Sequence, residues 1–252
     1  MLAKLDKLYR KYLMPVKYYA DDTFLVSYPK SGNTWVRFML ANVMTNGEAE
    51  INFHTAVDHI PDIDVHKKIA NHIQPPRILK SHQPYNSKFS NVVYIIRDPR
   101  DVYVSYYFYL QKKLKGDLKN INHFIKNIDT YGISWRDHVN SWMDKLDATD
   151  LIIRYEDLIH EPYENLKKMA DFCHLNYDEE LLRLSVERSS FDSMSKIEDS
   201  KGRPFTSKED EKKASKFVRA GKIGDWKNHL DKDTQQYLEN KCKVLMNKFG
   251  YL

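Results

Sequence analysis

The side chains of this 252-residue chain that could carry group-transfer chemistry fall into four short clusters. In Leu79-Lys80-Ser81-His82, which closes an apolar run, an extended backbone sends Lys80 and His82 to one side and Ser81 to the other. A histidine with its ordinary pKa of ~6.5 is neutral and proton-accepting near neutral pH, so His82 suits a general base, with Lys80 as a neighbouring cation. In Tyr28-Pro29-Lys30-Ser31-Gly32-Asn33-Thr34-Trp35 a lysine, a glycine and three polar side chains sit where a strand gives way to a helix. A helix start presents unpaired N–H groups and partial positive charge. Gly32 allows close backbone approach, Ser31, Asn33 and Thr34 add donors, and Lys30 supplies full charge. The order differs from G-x-x-x-x-G-K-[ST], which weakens a nucleoside triphosphate reading.

The third cluster, Ile95-Ile96-Arg97-Asp98-Pro99-Arg100-Asp101-Val102-Tyr103-Val104-Ser105, places a cation at a strand end and a hydroxyl eight residues on. Ligands of open α/β sheets lie beyond the carboxyl ends of the strands, so Arg97 and Ser105 are set to meet one phosphate. Arg100 is expected to pair with Asp98 or Asp101. The fourth, Phe217-Val218-Arg219-Ala220-Gly221-Lys222-Ile223-Gly224-Asp225-Trp226-Lys227, has the makeup of a folded-over phosphate loop. His54, His59, His66 and His72 show no metal-ligand spacing, and no metal is expected.

These clusters require elements that bring them to one edge. Thr23 to Tyr28, Arg77 to Lys80, Val92 to Ile96 and Leu151 to Tyr155 read as buried strands. Trp35, Val36, Met39, Leu40 and Val43 recur at helical spacing to about Met44, a helix is expected after Pro99 through Val102 and Tyr106, and another from Glu156 towards Cys173. The alternation predicts one α/β domain over 1–252, with a mostly parallel sheet of four or five strands, helices on both faces and a P-loop-like anion loop. Lys112 to Asn127 and Ser200 to Lys216 read as surface loops, and whether the second serves as a lid is left open by the sequence.

Composition agrees with a folded globular protein: 42% hydrophobic residues, 9 Pro, 8 Gly and no repeat or linker. A net charge of +5 with both signs interspersed does not call for nucleic acid as a partner. Cys173 and Cys242 have neither disulfide-framework nor zinc spacing, which suggests a reducing, cytoplasmic setting. The charged N-terminus and the lack of any run of ~20 apolar residues argue against a signal peptide or a transmembrane segment.

In order and approximate spacing, from about Asp22 to Asn228, the four clusters resemble the cytosolic sulfotransferase family. The resemblance implies sulfuryl transfer from 3′-phosphoadenosine 5′-phosphosulfate (PAPS) to a hydroxyl or amine, leaving 3′-phosphoadenosine 5′-phosphate (PAP). It implies Lys30, Ser31, Gly32, Asn33 and Thr34 around the phosphosulfate and Trp35 against the adenine. Arg97, Ser105, Arg219 and Gly221 match the 3′-phosphate ligands. Tyr155 and Ser189 match adenine-site residues, and Lys80 and His82 match the catalytic Lys-Thr-His segment with Ser81 at Thr. Ala220 stands where the family has Lys, and the family's dimerisation segment is not recognisable after Lys227, which leaves the oligomeric state open. The acceptor, a small molecule, glycan or lipid, is unnamed by sequence; Glu48 to Gln74, Leu110 to Tyr131 and Lys201 to Lys216 are its expected walls. A P-loop kinase and a non-catalytic nucleotide-binding protein are the competing readings.

Overall fold

A computed structural model describes residues 15–113, 118–203 and 221–252. Four strands, β1 (Thr23–Ser27), β2 (Ile78–Ser81), β3 (Val92–Ile96) and β4 (Leu151–Arg154), form one parallel sheet in the order β2-β1-β3-β4. Each is a short run rich in Val, Ile and Leu, as a sheet covered on both faces requires. Every residue of β1, β2 and β3 is buried, whereas β4 forms a half-open edge.

The period of two divides these strands between two cores. Phe24, Val26, Leu79, Val92, Tyr94 and Ile96 face one way. They pack under the helices α4 (Pro99–Lys113), α6 (Trp135–Met143) and α11 (Lys232–Lys248), through Val102, Tyr103, Trp135, Trp142, Leu238 and Leu245. Leu25, Ile78, Val93, Ile95 and Ile153 face the other way. There α1 (Asn33–Met44), α7 (Tyr155–His160), α8 (Pro162–Phe172) and α9 (Glu179–Arg188) cover them with Val36, Met39, Leu40, Leu158, Leu166 and Leu182. The chain is a single α/β domain with helices on both faces of the sheet.

The short helices α2 (Ala56–His59) and α3 (Lys67–His72) fill the crossover from α1 to β2. Between them the chain runs alongside β2, with Lys80 N–H donating to Pro61 O at 2.9 Å and Ile63 N–H donating to Lys80 O at 3.0 Å. The expected loop from Lys112 to Asn127 is partly helical. Helix α4 continues to Lys113 and α5 spans Ile121–Lys126, its N-terminus capped by the Asn120 side chain, which accepts from His123 N–H. Phe124 and Ile125 are buried, so apolar burial on one helical face outweighs the polar composition around it. Helix α10 (Phe191–Lys201) enters the second expected loop, most of which lies outside the described residues.

Candidate active site

The carboxyl ends of β1, β2 and β3 release three loops at one sheet edge. After β1 the backbone reverses through two residues of positive φ, Lys30 at 71° and Gly32 at 98°, before α1 begins at Asn33. Such a curl turns successive N–H groups inward. Among the described residues no group accepts from the main-chain N–H groups of Ser31 to Thr34, and no side chain caps the helix. Ser31 is buried, and its Oγ also lacks a partner. A buried, unpaired polar atom costs free energy, so this concave run of donors is arranged to receive an anion. A glycine is needed beyond its φ angle: a Cβ at residue 32 would lie 2.4 Å from Tyr155 Cδ2.

Asn33 works differently from the expectation that it donates into the loop. Its Nδ2 donates back to Leu25 O at 3.3 Å and to Ser27 Oγ at 3.2 Å, tying the start of α1 to β1. Thr34 is partly exposed on the first turn. Trp35 sets its ring edge-on to Tyr155 with centroids 6.0 Å apart, and its buried Nε1 has no partner.

Arg97, leaving β3, joins this loop to the others. One guanidinium nitrogen donates to Lys30 O and the other to Lys222 O, each at 3.3 Å. The guanidinium carbon lies 4.2 Å from the centre of the Tyr155 ring, while the buried Nε has no partner among the described residues. Tyr155 thus supports Gly32, Trp35 and Arg97 together, and it is itself buried. Residues 101, 105 and 109 recur every four residues along α4, and Arg97 lies two residues before that helix begins. At the far end of that stripe the Lys30 ammonium sits 4.8 Å over the Tyr109 ring, and Ser105 lies between. Gly221 is close against Phe191, an exposed aromatic: a Cβ there would meet Phe191 Cδ2 at 2.7 Å.

The β2 side is built from paired groups. Lys80 is buried, and its Nζ is 2.5 Å from Asp62 Oδ2. Burial pulls the Lys80 pKa below its ordinary value against the opposing pull of Asp62. Burial alone would raise the Asp62 carboxyl, but the charge and hydrogen bond of Lys80 hold it below the usual value. His82 is partly buried, and its Nδ1 lies 2.7 Å from Ser27 O. A carbonyl can only accept, so Nδ1 carries the hydrogen and Nε2 keeps its lone pair. No described group bonds to Nε2. Burial, and then the Lys80 charge, pushes the His82 pKa well below 6.5, so the ring is neutral at pH 7. Beneath it, His138 Nε2–H donates to His82 O at 3.2 Å and its Nδ1 accepts from Tyr94 OH at 2.9 Å.

The structure therefore gathers Lys30, Ser31, Gly32, Asn33, Thr34, Trp35, Arg97, Tyr155 and Gly221 around one loop, with Lys80 and His82 beside it, and Ser105 stands on α4, partly buried, between Asp101 and Tyr109 in sequence. Ser189 lies apart. Fully buried, it accepts from Asn42 Nδ2 at 3.5 Å, and Asn42 is nine residues along α1 from Asn33, ~13 Å at the rise of a helix. Arg219 and Ala220 lie outside the described residues. Arg100 forms an ion pair with Asp98, with Nη2 2.7 Å from Oδ2, and another with Glu239. Two acids escaped the sequence reading. Asp62 falls in an expected acceptor wall, with no local sign that β2 would bring Lys80 to it. Asp101 was assigned only as a partner for Arg100, although its position four residues after Arg97 puts it at ion-pair distance from that cation.

A family model described as the sulfotransferase domain matches residues 20–250. The chain is 32% identical over 230 residues to sulfotransferase 1 family member D1 of Mus musculus, covering 83% of this chain and 78% of that one. It is 26% identical to the amine sulfotransferase of Oryctolagus cuniculus, covering 91% and 82%. Its fold is similar to that of retinol dehydratase crystallised with androsterone and inactive cofactor PAP, with a TM-score of 0.72 at 19% identity, covering 96% of this chain and 84% of that one. A mouse sulfotransferase complexed with PAP superposes with a TM-score of 0.69 at 23% identity, covering 92% and 86%.

Proposed function

This chain belongs to the sulfotransferase family, and from that premise we propose that it transfers the sulfuryl group of PAPS to a small-molecule hydroxyl or amine, with His82 as general base. One observation carries the reading: polar groups without partners among the described residues, Ser31 Oγ, Arg97 Nε and the N–H groups of residues 31 to 34, converge at one sheet edge, beside a histidine whose Nε2 is poised to accept a proton. Buried donors of this kind fit a ligand with two separated anionic groups. Two fold neighbours were crystallised with PAP, one of them with androsterone, an alcohol.

In this reading the donors of residues 31 to 34 and Lys30 hold the 5′-phosphosulfate. Arg97, Ser105, Gly221 and Arg219 hold the 3′-phosphate, and Trp35 with Tyr155 borders the adenine, whereas Ser189, fully buried against Asn42, is left out of that border. Sulfuryl transfer passes in line between two oxygens, so positioning and charge stabilisation supply most of the acceleration. His82 Nε2 takes the acceptor's proton as the acceptor oxygen bonds to sulfur. The electron pair of the breaking sulfur–oxygen bond goes to the phosphate oxygen, where Lys30 meets the growing charge. Burial, and then the Lys80 charge, keeps His82 neutral, and Lys80 reaches the transferring group by leaving the Asp62 carboxylate. Transfer requires no metal in this scheme, because Lys30, Lys80 and Arg97 supply the positive charge. Among the described residues no helix is long and apolar enough to cross a membrane, and we place the enzyme in the cytoplasm with a soluble or lipid-derived acceptor.

Incubation with 35S-labelled PAPS and a panel of phenols, sterols, aliphatic alcohols, amines and glycans tests this assignment, with label expected in at least one acceptor class. Calorimetry with PAP against ADP separates it from a kinase. Tighter binding of ADP than of PAP would overturn it.

A further inference from the structure

The carboxylate of Asp101 is buried on the first turn of α4 and faces Arg97 at ion-pair distance, but its hydrogen bonds go elsewhere. Its Oδ2 accepts from Gly224 N–H at 2.8 Å and its Oδ1 from Trp226 N–H at 3.0 Å, while Arg97 Nη2 stays 3.9 Å away. Both bonds reach across 123 and 125 residues of sequence to one short segment. Gly224 has a φ of 77° and heads a single 3-10 turn, Asp225–Asn228, so Asp101 satisfies the donors that the start of that turn leaves open. Two residues earlier the same segment receives Arg97, through Lys222 O. Behind it Trp226 is buried under the Arg100 guanidinium at 4.2 Å, and Arg100 is fixed by Asp98 and Glu239. The segment from Gly221 to Trp226 is thus moored at three alternate residues, 222, 224 and 226, to the turn that carries Arg97.

We infer that Asp101 is a positioning residue for co-substrate selection: it docks the 221–226 segment against Arg97, so that both close on the 3′-phosphate together. The inference rests on the PAPS reading above. An anionic carboxylate beside a phosphate site is otherwise unfavourable, since like charges repel across a few ångströms. Burial raises the Asp101 carboxyl above its ordinary value, and Arg97 and the two N–H donors pull against that rise. The two bonds it accepts offset that repulsion. Charge repulsion and positioning predict opposite signs for its removal: without the carboxylate, electrostatics alone would tighten binding of a 3′-phosphate, whereas loss of the mooring weakens it.

Calorimetry on the full chain decides between them with two probes that differ only in the 3′-phosphate, PAP and adenosine 5′-phosphate. The variants are Asp101→Asn, which keeps the shape and one accepting oxygen, and Asp101→Ala, which keeps neither. The wild-type chain should prefer PAP at least tenfold. In Asp101→Asn that preference should fall at least threefold, and in Asp101→Ala at least tenfold, with affinity for adenosine 5′-phosphate unchanged within twofold. If Asp101→Ala does not fold, Asp101→Asn alone is decisive. A preference for PAP that is unchanged or increased in Asp101→Asn, or equal losses for both probes, overturns the inference and leaves Asp101 a purely structural residue. A wild-type chain with no preference for PAP would instead overturn the co-substrate reading on which the inference stands.

Discussion

The two sides of the sheet edge treat their polar groups in opposite ways. On the side of β1 and β3, Ser31 Oγ, Arg97 Nε and the N–H groups at the start of α1 are held in place and have no partner among the described residues. On the side of β2, Lys80 is bound to Asp62, His82 Nδ1 to Ser27 O, and Asp64 accepts from His82 N–H at 3.3 Å and from Gln83 Nε2 at 2.5 Å. Preorganised, unsatisfied donors raise the affinity of whatever anion completes them, because little ordering remains to be done on binding. A side whose charges are already paired loses that pairing when a ligand engages it, so it discriminates through the rearrangement. The nucleotide side is accordingly expected to bind and the acceptor side to gate the chemistry.

The largest effect that would break this division is at His82. Replacing it with Ala should lower the single-turnover rate with saturating PAPS by ~10²–10⁴, the usual contribution of a general base. PAP affinity should hold within twofold, because the ring contacts β1 and not the anion loop. The depressed His82 pKa also places the acid limb of the wild-type rate profile below pH 6.5, with activity lost as pH falls through it. A rate within a few-fold of wild type on an aliphatic alcohol, or an acid limb above pH 6.5, removes His82 as the base.

Next in size is the Lys80–Asp62 pair. Asp62→Asn leaves a buried ammonium without its counter-charge, and breaking such pairs costs roughly 3 kcal/mol or more. The double variant Asp62→Asn with Lys80→Met should recover most of that loss, since no charge then remains to be satisfied. Urea unfolding of the two variants measures the difference. Equal stability of single and double variants would show the pair to be solvated, and the acceptor side no better satisfied than the other.

Gly32 sharpens the comparison from the nucleotide side. Gly32→Ala forces a Cβ onto the Tyr155 ring and places a side chain at φ 98°, at a cost of about 1–3 kcal/mol. Because Tyr155 also carries Arg97 and Trp35, PAP affinity should drop about tenfold while the environment of His82 is unchanged. A variant that binds PAP as tightly as wild type would show that the loop does not depend on its close approach to Tyr155.

What could be read from residues alone follows the range of the forces involved. The strands were legible because a sheet buried on both faces needs continuous apolar runs, and Val92 to Ile96 is such a run. The anion loop was legible because Lys30, Ser31 and Gly32 act through their own backbone turn. Helix α5 was obscured by the Lys and Asn residues around Ile121, Phe124 and Ile125, although those three carry the i, i+3, i+4 spacing. The partners of Lys80 and Asp101 depend on chain crossings, of 18 residues in one case and more than 120 in the other, and no local pattern encodes them. Asn33 looked like a ligand because polar side chains at helix starts commonly point to the helix. Its tie to Leu25 O is visible only once α1 is packed on β1.

The smallest expected effect lies beneath the acceptor side. His138 is fully buried, between Tyr94 OH and His82 O, and burial lowers its pKa to about 4. In the unfolded chain the same ring titrates near 6.5. The folded-state pKa is depressed, so as pH falls below 6.5 the unfolded chain takes up the proton first and stability declines until the folded ring titrates near 4. By pH 5 this linkage removes about 1–2 kcal/mol. His138→Gln can still accept from Tyr94 and donate to His82 O but does not titrate. Urea unfolding at pH 7.5 and pH 5 should therefore show a smaller decline for His138→Gln than for wild type. Equal declines would mean that the folded ring titrates as the unfolded one does, and a larger decline for His138→Gln than for wild type would mean that the ring is already protonated in the fold, with Tyr94 OH rotated to accept.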